Sequence, residues 1–537
     1  MVVVKRVLAL AGSAVLAASL AACGGDDDGG GDEGGTGLGQ EWILGTTDTV
    51  SAVDPAGSYD LGSSTLQYAL YEQLLTVSAG SDTPEGDAAE SCEYDDPQTL
   101  TCTLREGVTF ANGNELTSSD VKYSFERNIA IADPNGASVL YGSIADSDDE
   151  GNLSVNPDAI ETPDDQTVVF HLNQPDTTFQ FILTHASASI VDEETYPEDD
   201  ILPNEQAVGS GPYALEEYEH GQRALMVANE EYTGNRSSQS DRIQVNYYKQ
   251  TSGLKSATEN GDVQVAWRSL SPTELNELDQ NPDTEVVRGE GAEIRYWVWQ
   301  FSNDAAKDEA TRQAVAQIFD REAVAERAYD GTVDPLYSMV PPGFAGQVDA
   351  FQDEYGQPSV QEAQQLLNDA GIDTPVDLTI GYTPTHYGPN AVDEANELKR
   401  QLDESGLFNV TIDNLEWEQY QDEYKEGAYD LFMLGWFPDF PDADNYLSPF
   451  LVDGGFYANN YKNQRINQLV GEEQSTDDPS VREPAMEEIQ QITAQDVSVM
   501  PSWVGQNVAV TAPGIEGIDA TLDPAFIFRF WEVSYEG

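Results

Sequence analysis

The residues best suited to binding a ligand lie in one short segment, residues 429–451, which reads YDLFMLGWFPDFPDADNYLSPFL. Within it, Gly435 lets another chain approach the backbone closely, Trp436 offers a flat apolar face and Asp439 offers a negative charge. These residue types predict a ligand-binding site. A structural role is also open, with Trp436 packed in a core and Asp439 capping or hydrogen-bonding its own loop.

Other residues of this segment are weaker candidates. Phe437 and Phe440 are aromatic neighbours of the predicted site, whereas Asp442 and Asp444 suit the turn that the sequence FPDFPDAD predicts. We therefore predict ligand contacts at Gly435, Trp436, Phe437 and Asp439.

The sequence contains no recognisable arrangement for covalent catalysis. There is no Gly-x-Ser-x-Gly nucleophile elbow and no cysteine nucleophile with a histidine partner. None of the four histidines has metal-ligand spacing, so no metal or cofactor is expected. The chain contains 97 Asp and Glu residues, so the number of acids does not exclude a catalytic pair of carboxylates. A secreted hydrolase is therefore a remote alternative.

The composition is that of an acidic globular chain. Its 537 residues include 97 Asp and Glu against 24 Lys and Arg, which gives a formal net charge of −73, and 39% are hydrophobic. This length suits roughly two to four domains with a large core. So few basic residues cannot form the positively charged surface that nucleic-acid binding needs, and the negative charge disfavours attraction to anionic lipid headgroups.

The N-terminus carries the pattern of a secreted lipoprotein. Lys5 and Arg6 precede an apolar run, and the sequence Leu-Ala-Ala-Cys that ends at Cys23 resembles the bacterial lipobox. The run is shorter than the roughly 20 apolar residues that a membrane span needs. We expect cleavage of residues 1–22, lipid attachment to Cys23 at the outer face of the cell membrane, and a Gly/Asp-rich tether over residues 23–41.

Two further cysteines lie in the body of the chain. Cys92 and Cys102 flank the turn-rich sequence DDPQ within SCEYDDPQTLTCTL. In an oxidising exterior, this spacing predicts a disulfide across a hairpin.

Strand and helix patterns are mixed along the chain and indicate an α/β body. The strand patterns cover residues 167–172, 242–248, 295–301, 376–382 and 508–511. The helix patterns cover residues 118–128, 311–329, 359–370, 391–405 and 479–495. Candidate boundaries lie near residues 80–86, 203–211, 289–292 and 501–505.

Four segments contain sequence motifs in a fixed order. Residues 104–127 read LREGVTFANGNELTSSDVKYSFER, and residues 209–234 begin with GSGPY and end with an Asn and a Tyr before a final Thr-Gly. Residues 308–331 join an Arg-Gln-Ala helix to Asp-Arg-Glu, and residues 429–451 contain Gly-Trp-x-x-Asp. Together they resemble the family 5 extracellular solute-binding proteins, the peptide- and nickel-binding group of ATP-binding-cassette importers. Asn112 replaces the family's usual Asp, and both residues suit a turn.

The resemblance implies a type II periplasmic-binding-protein-like fold, with two lobes, crossing strands that form a hinge, and an extra domain. By analogy, the second lobe is residues 293–502 and the extra domain is residues 79–205. The first lobe then combines three separate segments, residues 42–78, 206–292 and 503–537. Ligand binding in the cleft would favour the closed form, which the membrane permease would recognise.

The resemblance also implies roles for the candidate residues. In peptide-binding members, the aspartate at the position of Asp439 pairs with the terminal ammonium of the peptide. The partner of the peptide carboxylate is left open among Arg295, Arg400 and Arg465. Asp320 and Arg321 are expected to be structural.

The resulting hypothesis is a monomeric, lipid-anchored receptor that binds peptides and catalyses no reaction. It would deliver di- or oligopeptides to the permease subunits of an importer. An alternative keeps the receptor and replaces the peptide with an oligosaccharide or another small solute, because several tryptophans offer aromatic platforms. These are Trp267, Trp297, Trp299, Trp417, Trp436 and Trp503.

Overall fold

The structure is a computed structural model that describes residues 41–148, 151–268, 270–384, 386–388 and 390–537. The predicted signal segment, Cys23 and the tether up to residue 40 lie outside the described residues. None of the described helices combines the length and the apolar character needed to cross a bilayer.

One large mixed sheet of eleven strands runs through the described chain. Along the sheet, an antiparallel group at one end is followed by a parallel group, an antiparallel group in the middle and a parallel group at the other end. In spatial order they are Tyr213–Glu219, Arg223–Ala228, Arg242–Tyr247, Trp42–Thr46, Val265–Trp267, Val499–Thr511, Glu285–Trp299, Leu431–Trp436, Val376–Tyr382 and Phe408–Asn414, and Val333–Pro335 also pairs with Val499–Thr511.

Two long strands of this sheet belong to both lobes. We call Glu285–Trp299 and Val499–Thr511 the crossing strands, and they pair with each other in antiparallel register. The register is irregular between Glu290 and Ile294, at the predicted boundary between the lobes. The connection between the lobes is therefore a pair of hydrogen-bonded strands.

The irregular stretch depends on glycine. Gly291 lies so close to the carbonyl of Gly505 that a Cβ at residue 291 would overlap it. Both glycines fall in the stretches 289–292 and 501–505, where the sequence predicts domain boundaries. The exact limits of the lobes and of the extra domain remain a prediction.

The buried hydrophobic residues form separate cores on the two sides of the crossing strands. The first lobe packs Trp42 against Phe528 and Phe530 near the C-terminus. In the second lobe, the first crossing strand supplies Trp297 and Trp299 to one face of the sheet. Tyr296 and Val298, which alternate with them, belong to the core on the other face. Because a core covers each face of the sheet here, the last four residues of this strand, Tyr296–Trp299, are all apolar.

The extra domain has its own core and a four-stranded antiparallel sheet. Its sheet places Thr99–Leu104 between Ala89–Asp96 and Thr167–His171, with Ile160–Asp164 at the edge. A helix, Ser118–Ile131, packs its apolar side on this sheet. Short two-stranded pairs complete the described strands: Leu75–Thr76 with Glu85–Gly86, Ala145–Ser147 with Leu153–Val155, and Ile515–Glu516 with Ser534–Tyr535.

The helices surround the sheets. The described α-helices are Leu61–Leu70, Ser118–Ile131, Phe179–Ile182, Thr251–Glu259, Pro272–Asp279, Asp304–Lys307, Glu309–Ile318, Arg321–Tyr329, Ala350–Tyr355, Val360–Ala370, Ala391–Ser405, Trp417–Glu426, Ser448–Leu451, Gln464–Gln474 and Pro479–Asp496. The prediction of one helix over residues 311–329 is wrong, because the first helix ends at Ile318 and Phe319 has an extended backbone. There Asp320 accepts a hydrogen bond from the amide of Ala323 at 3.0 Å and starts a new helix.

The two body cysteines lie opposite each other in the extra domain. Cys92 and Cys102 are register partners on adjacent strands, their Cα atoms are 4.0 Å apart and their sulfurs are bonded. The disulfide therefore closes the hairpin that contains the DDPQ turn.

We expect the double substitution Cys92→Ala and Cys102→Ala to lower the free energy of unfolding of the extra domain by about 2–3 kcal/mol, because the short closed loop restricts the unfolded chain. Urea unfolding monitored by hydrogen exchange within the domain measures the loss. The control is the wild-type protein under reducing conditions, which should lose a similar amount. Unchanged stability in both samples would contradict the prediction.

Candidate functional site

A cavity of about 680 Å³ lies between the lobes, alongside the crossing strands. Of its lining residues, the predicted division of the chain assigns Arg268, Trp503 and Phe526 to the first lobe, and Arg295 and Tyr387 to the second. A cavity of this size and mixed lining suits a small organic ligand held by aromatic faces and a few polar groups.

Arg295 is buried at the wall of this cavity. Its guanidinium lies between two rings, 4.4 Å from the centroid of Tyr387 and 4.7 Å from that of Trp503. Its Nη2 donates to Glu293 at 2.5 Å, while its buried Nε finds no hydrogen-bond partner among the described residues. Gly435 is the register partner of Arg295, and a Cβ there would overlap the guanidinium.

The other two arginines considered for a ligand carboxylate are elsewhere. Arg400 pairs with Glu397 and Glu404 along one helix, and Arg465 is partly exposed and pairs with two glutamates. Neither lines the cavity. Its position in the cavity wall therefore makes Arg295 a better candidate than Arg400 or Arg465 for binding a ligand carboxylate.

A buried carboxylate that the sequence analysis missed fixes the aromatic wall. Glu394 is fully buried and accepts four hydrogen bonds, from Trp297 at 3.2 Å, Ser502 at 2.7 Å, Tyr329 at 2.7 Å and Trp503 at 2.8 Å. Such a set satisfies the carboxylate and holds the Trp503 ring in place against Arg295. No local sequence pattern signals it, because its four partners come from three elements that are distant from it in the sequence.

Trp436 lies mainly in the core of the second lobe. Its ring meets Phe450 edge to face at 4.9 Å, and its indole nitrogen donates to Asn445 Oδ1 at 2.9 Å. It does not line the cavity. These contacts match the structural alternative for Trp436.

Asp439 is held by partners on both sides of the cleft. Tyr59 of the first lobe donates its hydroxyl to Oδ1, and Asn445 Nδ2 donates to Oδ2 at 3.1 Å. Asn445 also accepts from the Asp439 amide at 2.8 Å, so it orients both the backbone and the side chain. Desolvation raises the pKa of Asp439 to about 6, and the two side-chain hydrogen bonds limit that rise.

The aromatic neighbours of Asp439 join the second lobe to the rest of the protein. Phe437 lines the cavity and meets Phe526 of the first lobe edge to face at 5.6 Å. Phe440 stacks on Phe181 of the extra domain at 5.8 Å. Of the four predicted contacts, only Phe437 lines the cavity, while Gly435, Trp436 and Asp439 lie beside it.

The remaining acids of this segment serve the turn, as predicted. Asp442 caps the short helix Ala443–Tyr446 by accepting from the Asp444 amide at 2.9 Å. It also forms a two-pronged ion pair with Arg482, at 2.9 and 2.8 Å. Within the described chain, no cluster of three His, Cys, Asp or Glu side chains is arranged to hold a metal ion.

Comparisons with known proteins identify relatives of this chain. The family model described as bacterial extracellular solute-binding proteins, family 5, middle region, matches residues 83–458. The probable D,D-dipeptide-binding periplasmic protein DdpA of Escherichia coli is 25% identical over 472 residues, which cover 85% of this chain and 87% of that protein. The periplasmic oligopeptide-binding protein OppA of Salmonella typhimurium is 25% identical over 498 residues, which cover 89% of both chains.

A solved structure shares the fold. The periplasmic binding protein DppA of Helicobacter pylori, in complex with the peptide STSA, aligns with a TM-score of 0.75 at 21% identity. The alignment covers 93% of this chain and 99% of that one. The chain therefore has the fold of that periplasmic binding protein.

We expect Tyr59→Phe to raise the ratio of open to closed ligand-free protein about tenfold, because it removes a charge-assisted hydrogen bond that bridges the lobes. Distances between spin labels on the two lobes measure the change. The matched control is Tyr94→Phe, which removes a hydroxyl bond to the Asp176 carbonyl within the extra domain. Equal label distances in both variants and the wild type would contradict the role of the bridge.

Proposed function

The chain belongs to the bacterial extracellular solute-binding proteins of family 5, and we propose that it is a monomeric, lipid-anchored receptor for short peptides. It captures them outside the cell and delivers them to the permease of an ATP-binding-cassette importer. The lipid on Cys23 is the membrane anchor, and residues 24–40 are the tether.

The observation that carries this proposal is the pair of opposite charges near the cavity, where Arg295 lines the wall and Asp439 lies beside it. Asp439 offers a carboxylate for the peptide ammonium, and Arg295 offers a guanidinium for the peptide carboxylate. Both groups are supported by fixed neighbours, so they are pre-organised for charged ends. The names of the relatives, which include dipeptide- and oligopeptide-binding proteins, support the same ligand class.

The spacing of these groups favours short peptides. Arg295 is the register partner of Gly435, and Asp439 follows four residues later. Four extended residues span at most about 14 Å, which matches peptides of about two to four residues. Longer peptides would have to place one terminus beyond these charges.

Closure of the cleft would work through contacts that both lobes make. A ligand held by Asp439 and Arg295 of the second lobe would also touch the first-lobe wall at Arg268 and Phe526. Such a ligand has greater affinity for the closed state and shifts the population toward it. The Tyr59 hydroxyl would then either share Asp439 with the ammonium or release it.

The oligosaccharide alternative receives less support from the tryptophans. Trp267, Trp297 and Trp299 are fully buried in cores, and Trp417 is stacked on His386 at 3.9 Å. Trp503 lines the cavity but its ring is covered by Arg295. Calorimetry of a peptide panel and a sugar panel distinguishes the two ligand classes, and turnover of either panel would instead indicate a hydrolase.

We expect peptide affinity to rise as the pH increases through about 6, because Asp439 must lose its proton to pair with the ammonium. His386 does not interfere, since burial and Arg295 lower its pKa to about 4. The Asp439→Asn variant should bind about 10- to 100-fold more weakly at pH 7.5 and lose this pH dependence. Calorimetry between pH 5 and 7.5 measures both effects, and an unchanged affinity and slope in the variant would exclude the pairing.

We expect Arg295→Gln to abolish the preference for a free peptide carboxylate over a C-terminal amide, because the guanidinium no longer faces the carboxylate. The wild type should prefer the free acid by about tenfold or more. Arg400→Gln, on the exposed face of a helix, is the matched control and should keep the wild-type preference. If the Arg295 variant folds and retains the preference, another residue binds the carboxylate.

A further inference from the structure

The charge of the cavity wall is the reverse of the charge of the chain. Asp and Glu outnumber Lys and Arg by 97 to 24 in the sequence. Among the described residues that line the cavity, two arginines, Arg268 and Arg295, face a single acid, Glu293. Cations are scarce in this protein, so their concentration at one cavity indicates an anionic ligand.

Arg268 holds an unusual position at this wall. It follows the strand Val265–Trp267 and has a left-handed backbone, with φ of +62°. This conformation costs free energy for a residue with a side chain, and such residues are often found at binding sites. The backbone directs the side chain to the junction of the lobes, where it lies 4.9 Å from the ring centroid of Phe437 and 6.0 Å from that of Phe526.

The guanidinium of Arg268 is poorly satisfied. It donates no hydrogen bond to a described residue, and its closest carboxylate oxygen, on Asp48, is 3.5 Å from a buried Nε. Arg127 shows the hydrogen bonds that a structural arginine forms in the same protein. It donates to both carboxylate oxygens of Asp54, at 2.9 and 2.6 Å, and to two backbone carbonyls.

We propose that Arg268 determines specificity by binding a second anionic group of the ligand, so that the cleft selects peptides with an Asp or Glu side chain. The inference rests on the proposed peptide-binding function and names the peptide class. Stacking on Phe437 leaves the N–H groups at the edge of the guanidinium free to bind a carboxylate with two hydrogen bonds. Arg295 remains available for the terminal carboxylate.

The acidic surface does not prevent this selection. At physiological ionic strength, charges separated by more than about 8 Å are largely screened. An arginine in direct contact with the ligand, in a cavity partly shielded from water, is screened much less. Contact with Arg268 would therefore outweigh repulsion from distant surface acids.

The test is calorimetry with the matched tripeptides Ala-Glu-Ala, Ala-Gln-Ala and Ala-Lys-Ala, and with the same side chains placed at the first and third positions. We expect the wild type to bind the best Glu peptide at least tenfold more tightly than its Gln counterpart. Arg268→Gln should lose this ratio, because its affinity for the Glu peptides should fall to about its affinity for the Gln peptides. Arg268→Lys should retain part of the ratio.

Two further variants sharpen the test. Asp48→Asn removes the carboxylate nearest to Arg268 and should increase the Glu-to-Gln ratio. Arg288 is a partly exposed arginine of the first crossing strand and lies outside the cavity. Arg288→Gln should therefore leave the Glu-to-Gln ratio unchanged. Equal binding of Glu and Gln peptides by the wild type, or a ratio that survives in Arg268→Gln, would overturn the assignment and leave peptide binding intact. Failure of every peptide to bind would overturn both proposals.

Discussion

The continuous pairing of the two crossing strands is the constraint on which the rest of the structure depends. Glu285–Trp299 and Val499–Thr511 supply hydrogen-bonded neighbours and core side chains to both lobes. The ribbon joins the two lobes, and its regular pairing is interrupted near Gly291 and between Arg295 and Tyr296. The cavity lies beside these interruptions, so a small bend of the ribbon there changes the distance between its walls.

Around this ribbon, the charged groups at the cleft are positioned by side chains that are close to them in some cases and distant in others along the sequence. Asn445 orients Asp439, and Glu394 fixes the Trp503 ring that covers Arg295. A fixed array of this kind lowers the cost of ordering the site when a ligand arrives. Among the described residues that line the cavity, Arg268 and Arg295 each keep a buried Nε without a hydrogen-bond partner.

The sequence predicted features that depend on local patterns. Helix 391–405 and strand 376–382 appear with the expected limits, because periodicity and end signals are local. The prediction of one helix over 311–329 was wrong because the cap at Asp320 outweighed a continuous helical pattern. The Gly-Trp-x-x-Asp motif led to Asp439, but its partner Tyr59 is 380 residues away and no spacing rule connects them. Such through-space partners require the folded chain.

The packing of the first-lobe core across a long sequence separation has a consequence for biosynthesis. Trp42 packs on Phe528 and Phe530, which the ribosome makes much later. The aromatic core of that lobe therefore cannot form until residue 530 has been synthesised. Until then the Trp42 ring lacks these partners and stays exposed to water or to a chaperone.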